Sequence, residues 1–133
     1  MQNENPNSIL IIEDDDTFRA VLNHVLVEEG YKVITASNGL KAINILKKET
    51  PDLIITDIIM ELSDGIEIIM HVKKNYPTCK IIAVSGGGRG NADEYLDAAY
   101  SLGADHILTK PFLLPDLVIT VNKLLQVNDQ LVG

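Results

Sequence analysis

The sequence predicts an α/β domain, doubly wound, with a parallel sheet covered on both faces. Short runs rich in Ile and Val recur along the chain, and the segments between them carry apolar residues at helical spacing. The runs at Ile9, Leu53 and Ile81 also lack strict alternation of apolar and polar residues, as strands buried on both faces do.

The first run is Ile9-Leu10-Ile11-Ile12, and four carboxylates, Glu13 to Asp16, follow it directly. A helix comes next, with Phe18, Val21, Leu22, Val25 and Leu26 at i, i+3, i+4, i+7 and i+8, stopped by Gly30. Tyr31 to Thr35 reads as the second strand, and Leu40, Ile43 and Leu46 as the stripe of a second helix that ends before Pro51. Leu53 to Thr56 is the third strand. The third helix carries Ile66, Ile69, Met70 and Val72, with Asp64 placed to cap it and Pro77 beyond its end. Lys80 to Val84 is the fourth strand, and Leu96, Ala99 and Leu102 lie on a fourth helix closed by Gly103. His106 to Thr109 is the fifth strand, followed by a helix with Leu117, Val118, Val121, Leu124 and Leu125, opened by Pro115 and Asp116. Strand and helix alternate throughout, which implies right-handed βαβ units.

The 133 residues fit one domain, expected over residues 8–127, with a polar disordered segment at 1–7 and a tail at 128–133. Hydrophobic residues make up 46% of the chain, enough to build a core without staples. The single cysteine, Cys79, excludes an intrachain disulfide and is expected as a structural thiol near the start of a strand. A net charge of −8 disfavours direct nucleic-acid binding. No signal-peptide core or membrane-length apolar run is present, so no membrane association is expected and the cytoplasm is the expected compartment.

In a doubly wound sheet, ligands bind outside the carboxyl ends of the strands. Those ends carry Glu13 and Asp14, Asp57, Ser85 and Lys110, so carboxylates, a hydroxyl and an ammonium converge on one edge. An acid after a strand is commonly a helix cap, and a serine or a lysine alone carries no signal. The joint placement carries the argument. Packed carboxylates repel, and a hard divalent cation such as Mg²⁺, which keeps waters and takes a few oxygen ligands, suits a small open acidic site. Lys110 adds a mobile positive charge suited to phosphate, and Ser85 can donate to a phosphate oxygen. Such a set stabilises the charge that spreads over phosphoryl oxygens, with Asp57 available as nucleophile.

These residues resemble the response-regulator receiver family. The matching pieces are Ile9-Leu10-Ile11-Ile12-Glu13-Asp14-Asp15, Pro51 to Asp57, Asp64-Gly65, Ser85-Gly86, Gly103-Ala104-Asp105 and Lys110-Pro111-Phe112. They run in the family's order and spacing from about Ser8 to Leu125. The resemblance implies a flavodoxin-like (βα)5 fold with strand order 2-1-3-4-5. It further implies that Asp57 is the phosphoacceptor and that Asp14 and Asp57 bind Mg²⁺ directly. Glu13 would act through water, and the backbone carbonyl of Ile59 would complete the metal ligands. Ser85 and Lys110 would contact the phosphoryl group, and the Lys110-Pro111 bond would be cis. The implied partners are a sensor histidine kinase or a histidine phosphotransfer protein as donor, and a downstream protein or output domain. The chain itself would be a signalling phosphoacceptor, not an enzyme acting on other substrates. It is read either as a stand-alone receiver or as part of a larger regulator.

Three positions depart from the family pattern. Met60-Glu61 stands where many relatives have Met-Pro, Ile107 where the fifth strand usually carries an aromatic switch residue, and Ser85 to Gly90 is unusually glycine-rich. Ile107 removes the aromatic swing as a report of phosphorylation, so output is expected from loop or helix movement. The glycine cluster lacks the ending of a P-loop and is read as a flexible switch loop. Ile59 and Gly87 are expected to flank the phosphate and influence the admission of water. Two rivals are weighed: an aspartate-nucleophile phosphatase, which wants an acid where Ile59 stands, and a flavodoxin-like cofactor binder, whose phosphate would meet acids. A phosphorylation-independent pseudo-receiver is disfavoured by the intact acidic set. His24, His71 and His106 have no ligand-spaced partners and are expected in surface or packing roles. Tyr95, Tyr100 and Ile107 are read as a partner face or as ordinary packing.

Overall fold

A computed structural model describes residues 7–58, 65–86 and 92–125, and of residues 92–96 the backbone alone. Five strands and five helices alternate: β1 (Ser8–Ile12), α1 (Asp16–Glu28), β2 (Lys32–Ala36), α2 (Gly39–Leu46), β3 (Leu53–Asp57), α3 (Gly65–Asn75), β4 (Lys80–Gly86), α4 (Ala92–Leu102), β5 (His106–Lys110) and α5 (Leu114–Leu125). All neighbouring strands pair in parallel, in the order β2-β1-β3-β4-β5. This is the order that the resemblance implies.

The unbroken apolar runs are explained by their position. β3 is buried along its whole length and β1 and β4 nearly so, whereas the edge strands β2 and β5 are mostly half-exposed. Alternate residues of the central strands feed two cores. Ile9, Ile11, Leu53, Ile55, Ile82 and Val84 pack with Leu22 and Leu26 of α1 and Leu117 and Val121 of α5. Leu10, Ile12, Ile54, Ile81 and Ala83 pack with Ala42 and Leu46 of α2, Ile68, Ile69 and Val72 of α3, and Ala99 of α4. Burying one such Ile or Leu side chain contributes about 1.5–3 kcal/mol, so the sheet centre anchors the domain.

The helical period read from the sequence holds, but its phase shifts in two helices. In α2 the buried face runs through Gly39, Ala42 and Leu46, which leaves Leu40 71% exposed. In α3 it runs through Gly65, Ile68, Ile69 and Val72, so Met70 points to solvent. At Gly65 the helix comes so near the sheet that no Cβ fits, which fixes which face of α3 turns inward. Leu102, at the end of α4, is also exposed. Gly30 and Gly103 have φ of +98° and +121°, the left-handed backbone that ends α1 and α4.

Cys79 is buried immediately before β4. The phenolic hydroxyl of Tyr31 donates to the Asn122 side chain, tying the start of β2 to α5. Among the described residues, no helix is long and apolar enough to cross a membrane.

Candidate functional site

The four consecutive carboxylates after β1 have divided roles. Glu13 is 2% exposed, its backbone N–H donating to the Ala36 carbonyl of β2 at 3.1 Å. Its Oε2 accepts from the Asp15 N–H at 3.0 Å. Asp14 is exposed and stands beside Glu13 and Asp57. Asp15 is the N-cap of α1, its side chain accepting from Phe18 N at 3.0 Å, a contact typically worth ~1 kcal/mol. Asp16 lies in the first turn of α1, where a negative charge meets the positive end of the helix dipole. It also pairs with Arg19 at 2.7 Å. The other arm of the Arg19 guanidinium donates to the Glu13 carbonyl at 2.8 Å, tying α1 back onto the acidic turn.

Asp57 ends β3 and is 7% exposed. It pairs in register with Val84, and the next residue, Ile58, donates to the Val84 carbonyl at 2.8 Å. Gly65, the first residue of α3, donates to the Ile58 carbonyl at 2.8 Å. A Cβ on Gly65 would lie 2.1 Å from the Asp57 carbonyl oxygen, so this approach requires glycine. The local sequence thus sets the helix directly against the strand end that carries Asp57.

Lys110 ends β5, opposite Gly86 in the register, and is followed by a cis bond to Pro111, as the resemblance implies. Its Nζ lies 3.3 Å from Glu13 Oε1 and 3.5 Å from Asp57 Oδ2. On another side it stands over the Phe18 ring, 4.5 Å from the centroid. Phe112 meets the Phe18 ring edge-on, with centroids 5.9 Å apart. Ser85 pairs with Thr109 and is fully buried. Among the described residues, no group partners its hydroxyl oxygen. A buried hydroxyl without a partner is costly, which makes this one a candidate donor to a bound group.

One oxygen from each of Glu13, Asp14 and Asp57 lies within 4.8 Å of the other two. Burial holds the Glu13 carboxyl above its usual range, and the charge of Asp57 adds to this. The Asp15 N–H and Lys110 act in the opposite direction and favour the ionised form. A cluster of hard oxygens under mutual repulsion, with one cation already drawn in, fits a small hard divalent ion.

The structure therefore brings Glu13, Asp14, Asp57 and Lys110 together and places Ser85 on the adjoining strand end. Ile59, Met60, Glu61, Asp64 and the loop from Gly87 to Gly90 lie outside the described residues, as does the side chain of Tyr95. His24 and His106 are exposed and His71 is half-buried; the acidic cluster found among the described residues includes none of them. Tyr100 is exposed, whereas Ile107 packs against the core beside α4. Sequence reasoning took Phe18 as one member of an apolar stripe and passed over Arg19. Their place in the first helical turn after the acidic run was the available signal.

The family model for the response regulator receiver domain matches residues 9–122. The chain belongs to this family. The receiver is 32% identical over 117 residues to the chemotaxis protein CheY of Halobacterium salinarum, covering 88% of this chain and 95% of that protein. It is 34% identical over 125 residues to sporulation initiation phosphotransferase F of Bacillus subtilis, covering 94% and 96%. A putative response regulator from Chloroflexus aurantiacus superposes with a TM-score of 0.81 at 32% identity, covering 91% of this chain and 98% of that one. Other matched relatives are longer, and the receiver spans 52% of one of them, a probable transcriptional regulator of Pyropia yezoensis. The chain is thus a two-component signalling module and not a classical enzyme.

Proposed function

We propose that residues 8–127 form a phosphoacceptor receiver in which Asp57 takes a phosphoryl group from a phosphohistidine. The donor is a sensor histidine kinase or a histidine phosphotransfer protein, and a downstream protein or output domain reads the conformational change that follows. An Asp57 oxygen attacks phosphorus and forms a P–O bond as the P–N bond to the donor imidazole breaks. The imidazole nitrogen leaves with the electron pair and takes a proton from solvent. Hydrolysis of the acyl phosphate later returns the carboxylate and inorganic phosphate. These two reactions on itself are the only chemistry the domain carries out.

The observation that carries the reading is Lys110 Nζ held at 3.3 Å from Glu13 and 3.5 Å from Asp57. An ammonium poised on the acceptor carboxylate is placed to receive phosphoryl oxygens, and the partnerless Ser85 hydroxyl supplies a donor for the same group. Asp14 and Asp57 would hold Mg²⁺ directly, with Glu13 acting through water and the Ile59 carbonyl as a further ligand. When bound, the ion supplies positive charge that offsets repulsion between the carboxylate and the incoming phosphoryl oxygens. A phosphatase is disfavoured because Ile59 stands where a second acid is wanted. A net charge of −8 favours protein partners over nucleic acid, and the single free thiol with no targeting segment favours the cytoplasm as the compartment. With Ile107 in place of an aromatic switch residue, the switch would run through movement of α4 and not through an aromatic swing.

Incubation with acetyl phosphate and Mg²⁺ tests this reading. The wild type is expected to gain one phosphoryl group, lost on hydroxylamine treatment and not formed when the metal is chelated beforehand, while Asp57→Asn gains none. An adduct of equal yield on Asp57→Asn overturns it.

A further inference from the structure

We propose that Phe18 is a positioning residue for phosphoryl uptake, its ring face seating the Lys110 ammonium at the acceptor site. This role rests on the reading of Asp57 as phosphoacceptor.

Among the described residues, the Lys110 ammonium meets Glu13 Oε1 at 3.3 Å, Asp57 Oδ2 at 3.5 Å and the Phe18 ring with its centroid at 4.5 Å. A cation over an aromatic face is attracted by the ring quadrupole, more so where water is partly excluded. The Lys110 side chain is 26% exposed, so its stem is largely withdrawn from solvent.

The two carboxylates and the ring respond differently to phosphorylation. When Asp57 becomes the acyl phosphate, its charge moves onto phosphoryl oxygens and the geometry of that contact changes. The ring is uncharged and takes no part in the reaction, so it offers the ammonium the same seat before and after transfer. A lysine has a long flexible stem, and the ring gives its charged end a contact that the reaction leaves unchanged.

The ring is itself held from two directions. The Asp15 carboxylate caps the backbone N–H of Phe18 at 3.0 Å, which fixes the first turn of α1. Phe112 packs edge-on against the ring with an interplanar angle of 68° and follows Lys110 by two residues. Both rings join the core on the α1 and α5 side of the sheet. The residue that carries the ammonium and the residue that seats it are thus braced on the same packed layer.

Two readouts test the role. In the unmodified protein, the ε-methylene protons of Lys110 are expected to show an upfield ring-current displacement in NMR spectra. Phe18→Leu should lose it, and Phe18→Trp should keep it. With acetyl phosphate and Mg²⁺, Phe18→Leu should take up the phosphoryl group roughly twofold to tenfold more slowly, and Phe18→Trp should restore the rate. Thermal unfolding checks that each variant is folded, and Phe18→Met replaces the leucine variant if that one is not. Unchanged Lys110 signals in Phe18→Leu overturn the seat. Equal rates for wild type and Phe18→Leu, with Asp57→Asn inert, overturn the role while leaving the acceptor reading intact. A tryptophan variant as slow as the leucine variant reduces Phe18 to packing and also overturns it. A wild type as inert as Asp57→Asn overturns the acceptor reading and this role with it.

Discussion

Adding one methyl group at Gly65 tests how closely α3 must approach the strand that ends in Asp57. The new Cβ would meet the Asp57 carbonyl oxygen at 2.1 Å, the Ile58 Cα at 2.6 Å and the Ile58 carbonyl oxygen at 2.9 Å. All three are backbone atoms, so no side chain can swing away. An ordinary contact starts near 3.4 Å, so the shortest of these demands a separation of about 1.3 Å (3.4 less 2.1). Movement on that scale stretches the 2.8 Å bond from Gly65 N to the Ile58 carbonyl and strains the 2.8 Å bond from Ile58 N to Val84. Overpacking of this kind costs about 1–3 kcal/mol, and a weakened hydrogen bond adds ~1 kcal/mol. For a domain of this size the sum lowers the melting temperature by roughly 10 °C. Gly65→Ala measured by thermal unfolding should show that loss, with a reduced yield of the Asp57 phosphoadduct because the acceptor backbone has moved. A melting temperature within about 2 °C of wild type, together with a normal yield, would refute the claim that this approach is sterically fixed.

Two further predictions separate stability from chemistry. Ser85→Ala removes a buried hydroxyl that has no partner among the described residues. Its stability should match wild type or exceed it by about 1 kcal/mol in urea unfolding, whereas phosphoryl uptake should slow at least about tenfold. A destabilised variant with normal uptake contradicts both halves. The second prediction concerns alkaline pH. Burial pushes the Cys79 thiol from its usual 9.0 up to about 12, so between those values the unfolded chain loses a proton that the folded chain keeps. Stability from this group is therefore intact below pH 9.0 and declines as pH rises toward 12, by at most ~1.4 kcal/mol per pH unit. Tyr31, raised from 10.0 to about 12 by burial and by the nearby Glu29 charge, acts in the same direction from pH 10.0 upward. Urea unfolding at pH 9 and 10 should give a shallower decline for Cys79→Ala than for wild type, and equal slopes would contradict the assignment to Cys79.

Much of the site was legible because strand ends are legible. Ile9 to Ile12 and Leu53 to Ile55 are apolar without alternation, which marks central strands, and the polar residues that stop such runs fall at one edge of a parallel sheet. Glu13, Asp14, Asp57, Ser85 and Lys110 follow from that rule alone. The phase of the helices was less legible. Apolar residues at Leu40 and Met70 fit a helical stripe as well as the true one does, and the sequence does not say that Ala42 is buried or that Gly65 presses on the end of β3.

By itself, the sequence determined the order of elements, the parallel sheet and the residue types gathered at its carboxyl edge. Periodicity and run length are local properties, read from residues close together in the chain. Tertiary structure alone decided how the four carboxylates divide their work, where Gly65 presses on Asp57, and that the Phe18 ring lies under Lys110. These depend on distances between elements remote in sequence. Such distances are set only when α1, α3 and β5 pack on the same sheet.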